Sequence, residues 1–333
     1  MFGQKSTRQI DLHLPTGWNS CTTEELEAIA AAIIQEQQRV DRYHPFDWSR
    51  VKINVVLAVN RLHVVSKQSA IDDDSDSTFI VNRSKEEGDF PITTGQLVAL
   101  TERLAWIDDE KANKTIFMFP YPTLTLNVSG KTAAYGEGGS KFFTFHSSLF
   151  TLQGPPPLLD GYTWQEYRWM TDWMQAYMRH SNALLQVKSE KLKVKSQQEA
   201  MENARNEFLA VLFKKKDDNK DNREPLTINP ESFTGFSPVK WQVILFWWSS
   251  LMSMLAKKFP KVFKQQPVGK GKRRPQQQDT PWDFYNRVTA TIQKYIGGLS
   301  EQDVNNATYG TILQQLEMMA DEAAEMEKLK LKK

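Results

Sequence analysis

Residues 237–259 have the sequence SPVKWQVILFWWSSLMSMLAKKF, and this stretch decides the fold of the chain around it. Ser237 and Pro238 form a helix-start signal, because serine caps free amides and proline has no amide to satisfy at the first helical position. Lys257 and Lys258 suit the negative end of a helix dipole. Apolar side chains recur at helical spacing, namely Trp241, Ile244, Leu245, Trp248, Met252, Leu255 and Phe259. The stretch therefore predicts a helix.

Apolar residues extend around most of this predicted helix. Such a helix is either buried on nearly all sides or carries a face that binds a partner. A membrane span needs about 20 mostly apolar residues. Polar residues interrupt the stretch too often for that, namely Lys240, Gln242, Ser249, Ser250 and Ser253. The core interpretation and the partner-binding interpretation both stay open.

The composition is that of an ordinary soluble protein. The chain has 333 residues, enough for two domains or for one large domain with an appendage. Its net charge is +2, so the whole chain is not a nucleic-acid-binding polycation. The single cysteine, Cys21, excludes an internal disulfide framework and a cysteine-based zinc site. The first nine residues lack an apolar signal segment, so we expect a cytoplasmic protein.

Helix-start signals recur along the chain. A capping box, in which a Ser or Thr cap is followed three residues later by an acidic residue or Gln, appears at Thr22/Glu25, Thr93/Gln96, Thr163/Glu166 and Ser300/Asp303. The first predicts a helix over 23–39. Residues 51–66 fit both a strand and a helix, and their length favours a helix. Phe79–Val81 predicts a short strand.

Over residues 115–146, apolar residues recur at every second position, as in a β-strand, instead of at helical spacing. Alternating segments separated by proline and glycine signals predict a small antiparallel sheet of three or four strands, inserted between helices. The fold class is therefore mainly α (α+β). Residues 264–278, rich in Gly, Pro, Lys and Gln, predict a linker. We expect a mainly helical core over 1–263 and a helical C-terminal module over 279–333, which should pack on the main body or on a partner.

Two segments resemble ligand-binding loops without completing the pattern. Ser129–Thr132 resembles the end of a phosphate-binding loop, but Thr125 stands where the first glycine is required. A tight hairpin turn is the favoured interpretation. Asp72, Asp74 and Asp76 resemble the start of a calcium loop. Ser77 and Arg83 stand where that loop requires Gly and Glu, so a solvated loop is favoured.

Other candidate chemistry is sparse. The five histidines are scattered and have no metal-ligand spacing. We therefore expect no cofactor, no metal and no catalytic residues. A basic run, Lys270, Lys272, Arg273 and Arg274, predicts at most a weak contact with nucleic acid, and a solvated linker is favoured.

Several blocks are similar to proteins of tailed phages and prophages that are encoded beside the tail-tube and tape-measure genes. Residues 12–19, LHLPTGWN, followed by Thr-Glu-Glu-Leu, resemble the Leu-Pro-x-x-Trp opening of that family. Residues 92–98 with 104–107 resemble a second block, and 208–213 and 237–263 a third and a fourth. Residues 282–324 resemble a small downstream phage protein.

The resemblance implies a tail assembly chaperone, whose long form is a core extended by translational frameshifting. It implies a non-enzymatic protein in the host cytoplasm that binds tape-measure and tail-tube proteins, or further copies of itself, through exposed apolar helix faces. The partner-binding residues expected are Trp241, Phe246, Trp247, Trp248, Trp282, Phe284, Tyr285, Leu313, Leu316 and Met319. A structural virion component, such as a connector, neck or packaged protein, is the alternative. An enzyme with a site assembled from dispersed residues is a third, which no motif supports.

Overall fold

A computed structural model describes residues 11–40, 43–68, 77–83, 89–109, 118–135, 141–186, 191–215, 228–263 and 281–330. The protein is mainly helical with small antiparallel sheets, as the sequence predicts. It forms two compact units. One comprises 1–120 with 237–253, and the other comprises 121–236 with 254–333. This division differs from the predicted boundaries at 263 and 279. The predicted linker, 264–278, lies outside the described residues.

The first unit begins with two helices. Helix α1 (Thr23–Arg39) has the predicted bounds, and its capping box is formed: the amide of Glu25 donates to Thr22 Oγ1 at 3.2 Å, and the amide of Thr22 donates to Glu25 Oε2 at 2.7 Å. Helix α2 (Trp48–Val59) begins at Asp47, whose carboxylate caps the amide of Ser49. Their buried faces supply much of this unit's core, namely Leu26, Ile29, Ala30, Ile33, Val51, Val55 and Val56.

A three-stranded antiparallel meander follows α2, made of β1 (His63–Gln68), β2 (Thr78–Asn82) and β3 (Asp89–Thr93). The predicted strand at Phe79–Val81 is confirmed. Helix α3 (Thr94–Glu102) begins at the predicted Thr93 capping box. Leu62, Val81, Ile92 and Leu97 are buried together, so the sheet and α3 share one apolar cluster.

The prediction of a helix over 51–66 is wrong beyond Val59. Arg61 has a left-handed backbone (φ 54°), its amide donates to the carbonyl of Ala58 at 3.0 Å, and the amide of Leu62 donates to that of Leu57 at 2.8 Å. This pair of bonds is the Schellman arrangement that ends a helix. The chain then enters β1, so both periodicities in this stretch are real and belong to consecutive elements.

The second unit contains a long hairpin, β4 (Thr123–Tyr135) paired with β5 (Lys141–Gln153), and a short strand β6 (Lys214–Lys215) on β5. The prediction of a turn at Ser129–Thr132 is wrong. Ser129 pairs with Ser147 and Gly130 with His146 in the middle of the ladder. A partner strand of equal length satisfies these backbone groups, so the glycine remains extended. Residues 136–140, between the strands, lie outside the described residues.

Helices form the rest of the second unit. They are α4 (Trp164–Gln186), α5 (Lys191–Leu212), α7 (Pro281–Ile296), α8 (Glu301–Asn306) and α9 (Tyr309–Lys330). The predicted capping boxes at Thr163 and Ser300 are formed. Helix α6 (Pro238–Lys258) is the predicted helix of 237–259, and it contributes residues to both units. No helix among the described residues has the length and apolar content that crossing a membrane requires.

Candidate interaction surfaces

The aromatic side chains of α6 lie among other rings in the first unit. Phe246 lies 5.0 Å from Trp18, measured between ring centroids, and Trp18 lies 5.1 Å from Trp106 in an edge-to-face arrangement. Trp247 meets Phe119 edge-to-face at 4.9 Å. Edge-to-face pairs of this kind add to the stabilisation that burial provides. The rings of α6 thus take part in packing within the chain.

The structure separates the ten predicted partner-binding residues into three groups. Trp241, Trp247, Trp248 and Leu313 are buried, whereas Phe246, Leu316 and Met319 are half-buried. Trp282, Phe284 and Tyr285 belong to α7, and their side chains lie outside the description. A buried tryptophan offers no surface to a partner without unfolding its surroundings. For the buried tryptophans of α6, the structure favours the core interpretation over the partner-binding one.

The C-terminal segment 281–330 docks on the start of α4. The amide of Trp164 donates to the carbonyl of Ala307 at 2.7 Å, and the amide of Tyr309 donates to that of Tyr162 at 3.0 Å. The ring of Tyr309 stacks on Tyr167 at 5.0 Å, and its hydroxyl donates to the carbonyl of Leu158. Residues 162–164 and 307–309, far apart in the sequence of this unit, are therefore joined by backbone hydrogen bonds.

Polar side chains are buried in the same dock. Arg168, which is 4% exposed, donates to Asn305 Oδ1 at 3.1 Å and to Thr289 Oγ1 at 3.4 Å. The indole of Trp164 donates to the same Thr289 hydroxyl at 3.3 Å. Burial raises the pKa of Asp172, one turn along α4, while the positive charge of Arg168 lowers it in part. The hydrogen bonds of Arg168 hold α7 and α8 against α4.

Helix α9 is also fixed to the turn that follows α6. The carboxylate of Glu317 accepts bonds from the amides of Lys261 and Val262, both at 3.1 Å to Oε2. The carboxylate of Asp321 pairs with the Lys261 ammonium group. A carboxylate that accepts two backbone amides makes charge-assisted hydrogen bonds, which fix this turn against α9. The first half of α9 is thus held firmly by its neighbours.

The C-terminal segment still presents large apolar side chains. Those classed as exposed there are Tyr295, Ile296, Met318, Met326 and Leu329. Other exposed apolar side chains of the second unit are Trp169, Met178 and Leu185 on α4. In the first unit, Val64 and Val65 are exposed on the edge strand β1. Exposed apolar side chains that cluster on one segment are typical of binding surfaces.

Sequence reasoning expected residues 279–333 to pack on the main body or on a partner, but it could not identify the contacts of this dock. The helix signals of α4, α7 and α8 were visible, but nothing in them paired Arg168 with Asn305 or Tyr162 with Tyr309. These residues lie more than a hundred positions apart, and only the tertiary fold brings them together.

Candidate metal and anion sites gain no support from the described geometry. Among the described residues, no group of three or more His, Cys, Asp or Glu side chains is arranged to hold a metal ion. Asp72, Asp74 and Asp76 lie outside the described residues, as does the basic run at 270–274. Comparison of the chain with protein-family models, with characterised proteins and with solved structures gave no match.

Proposed function

We propose that this protein is a non-enzymatic assembly factor of tailed phages that binds tape-measure and tail-tube proteins during tail morphogenesis. Its likeness to proteins encoded beside tape-measure genes supports the class of partner. The observation that carries the binding mode is the C-terminal segment, which is docked on its own chain yet keeps several apolar side chains exposed on α9.

The binding mode follows from the chemistry of these side chains. Met318, Met326 and Leu329 are long and flexible, so they can adapt to the side chains of many helices. A tape-measure protein is a long helix with an apolar stripe, and that stripe needs cover until the tube forms around it. Repeated shallow contacts of the helix-in-groove kind would provide this cover and still release the tape measure.

The first experiment is mass spectrometry of purified virions beside lysate of infected cells. An assembly factor is abundant in the lysate and absent from the particle. Many copies in the particle would instead assign the chain to the virion structure, as a connector, neck or packaged protein, and would exclude the chaperone function.

The second experiment tests the surface itself in the full-length chain. Tape-measure protein is co-expressed with the wild type or with a Met318→Gln, Met326→Gln, Leu329→Gln variant, and its soluble fraction is measured. We expect the variant to lose most of the solubilising effect. The control is Leu185→Gln, which removes a more exposed apolar side chain from α4 and should leave the effect intact. If both variants keep the same amount of tape-measure protein soluble, α9 is not part of the binding surface.

A further inference from the structure

The second half of α9 extends beyond the contacts that fix the helix. Its last anchor is Glu322, whose carboxylate accepts a bond from the Tyr295 hydroxyl at 2.5 Å. From there to Leu329, every side chain that the structure describes is exposed. Met326 is 58% exposed and Leu329 is 64% exposed. A short helix that projects without cover has little to stabilise it in water.

An apolar seam runs from the docked half of α9 into this exposed half. Leu316, Met319, Ala323 and Met326 follow one another at intervals of three, four and three residues. This is the spacing by which two helices pair along their length. The first two positions are half-buried within the chain, and the last two are exposed.

The charges beside the seam are arranged in two blocks. Acidic residues come first (Asp321, Glu322, Glu325 and Glu327), and lysines follow within the helix (Lys328 and Lys330). The helix dipole accounts for lysines at the C-terminal end. It does not account for the acidic block, because the first turn of α9 has no acidic residue and the block lies in the second half of the helix.

We propose that the exposed end of α9 pairs antiparallel with the same segment of a second copy of this chain. Antiparallel pairing places the acidic block of each copy beside the lysines of the other, whereas parallel pairing places like charges together. The shared helix, residues 323–330, is about 12 Å long, from about eight residues at 1.5 Å each. An interface this small gives a weak, reversible dimer rather than a permanent one. This self-association uses the same end of α9 as the tape-measure contact proposed above, so the two contacts compete, although neither requires the other.

The test begins with sedimentation velocity of the full-length chain from low to high micromolar concentration. We expect the average mass to rise towards that of a dimer with concentration, and the rise to shrink in molar salt, which screens the charges. A chain that remains monomeric at the highest concentration overturns the proposal.

Charge variants then identify the surface. In one variant Glu325→Lys and Glu327→Lys make the segment basic. In the other, Lys328→Glu and Lys330→Glu make it acidic. Each variant alone should be monomeric, and an equimolar mixture should form a heterodimer. Melting curves confirm that the variants fold. If each variant dimerises as the wild type does, or if the mixture remains monomeric, the contact lies elsewhere and the proposal fails.

Discussion

Arg61 holds a left-handed backbone conformation at the point where α2 ends. A residue with a Cβ pays about 1–2 kcal/mol for this conformation, whereas glycine adopts it freely. The conformation is required because the Schellman bonds at this position turn the chain from α2 into β1. Its side chain contributes little, since it is largely exposed and only approaches Glu24 at 3.7 Å.

We therefore expect Arg61→Gly to be more stable than Arg61→Ala by about 1 kcal/mol. Both variants remove the same side chain, so the difference between their stabilities measures the cost of the left-handed backbone conformation for a residue with a Cβ. Urea denaturation of the two variants measures it. Equal stabilities would mean that the chain does not hold the left-handed turn in solution.

Cys21 illustrates how burial controls reactivity at a single residue. Burial, together with the smaller effect of the nearby negative charge of Glu25, raises the pKa of its thiol from 9.0 to about 12. The thiol donates to the carbonyl of Gly17 at 3.4 Å. Only the thiolate reacts with alkylating agents.

We expect iodoacetamide to label the native chain very slowly at pH 8 and to label it rapidly in guanidinium, as followed by intact mass. Stability should fall as the pH rises from about 9 towards about 12, because over that range the unfolded chain releases the Cys21 proton and the folded chain keeps it. A Cys21→Ser variant should lose this component of the pH dependence. Rapid labelling of the native chain at pH 8 would contradict the raised pKa of this half-buried thiol.

At the scale of secondary-structure elements, the aromatic side chains of α6 pack against other rings and stabilise the position of this helix. Trp247 is 1% exposed and meets Phe119 edge-to-face. Removing a buried tryptophan side chain leaves a cavity and typically costs about 3–5 kcal/mol. On α4, Trp169 has the same side chain at 40% exposure.

Trp247→Ala should therefore lower the free energy of unfolding by about 3–5 kcal/mol, and Trp169→Ala should lower it far less. Guanidinium denaturation followed by circular dichroism compares the two. If Trp247→Ala were as stable as the wild type while a partner interaction was lost, the partner-binding interpretation of α6 would replace the core one.

At the scale of the whole molecule, the C-terminal segment covers part of the second unit's core. Trp164, Tyr167 and Met170 are buried on α4, and backbone bonds join the start of this helix to residues 307–309. Removing 281–330 would expose these apolar side chains and break the bonds of Arg168. The segment therefore belongs to the fold of this unit rather than to a detachable extension.

We expect a chain ending at residue 263 to lose protection from hydrogen exchange along the first half of α4 and to aggregate. A chain ending at Glu322 loses only the exposed end of α9 and should keep the wild-type melting temperature. Hydrogen exchange read out by mass spectrometry, with melting curves of both chains, checks this pair. If α4 keeps its protection from hydrogen exchange in the chain ending at residue 263, segment 281–330 folds separately from it.

The sequence by itself determined where most helices begin, because capping residues act on amides only a few positions away. Thr22 with Glu25, Thr163 with Glu166, and Pro238 after Ser237 therefore marked helix starts correctly. It also determined the mainly helical class, through the apolar period of the long helices.

Only the tertiary structure showed the contacts between residues far apart in the chain, because no local sequence signal contains them. The bonds of Arg168 to Asn305 and of Glu317 to Lys261 join residues far apart in the chain, so their geometry depends on how the helices pack. Gly130 lies in an extended strand rather than in a turn, because pairing with β5 satisfies the hydrogen-bonding groups of its backbone. Packing also decided which aromatic residues of α6 are buried, since periodicity shows an apolar face but cannot show what covers it.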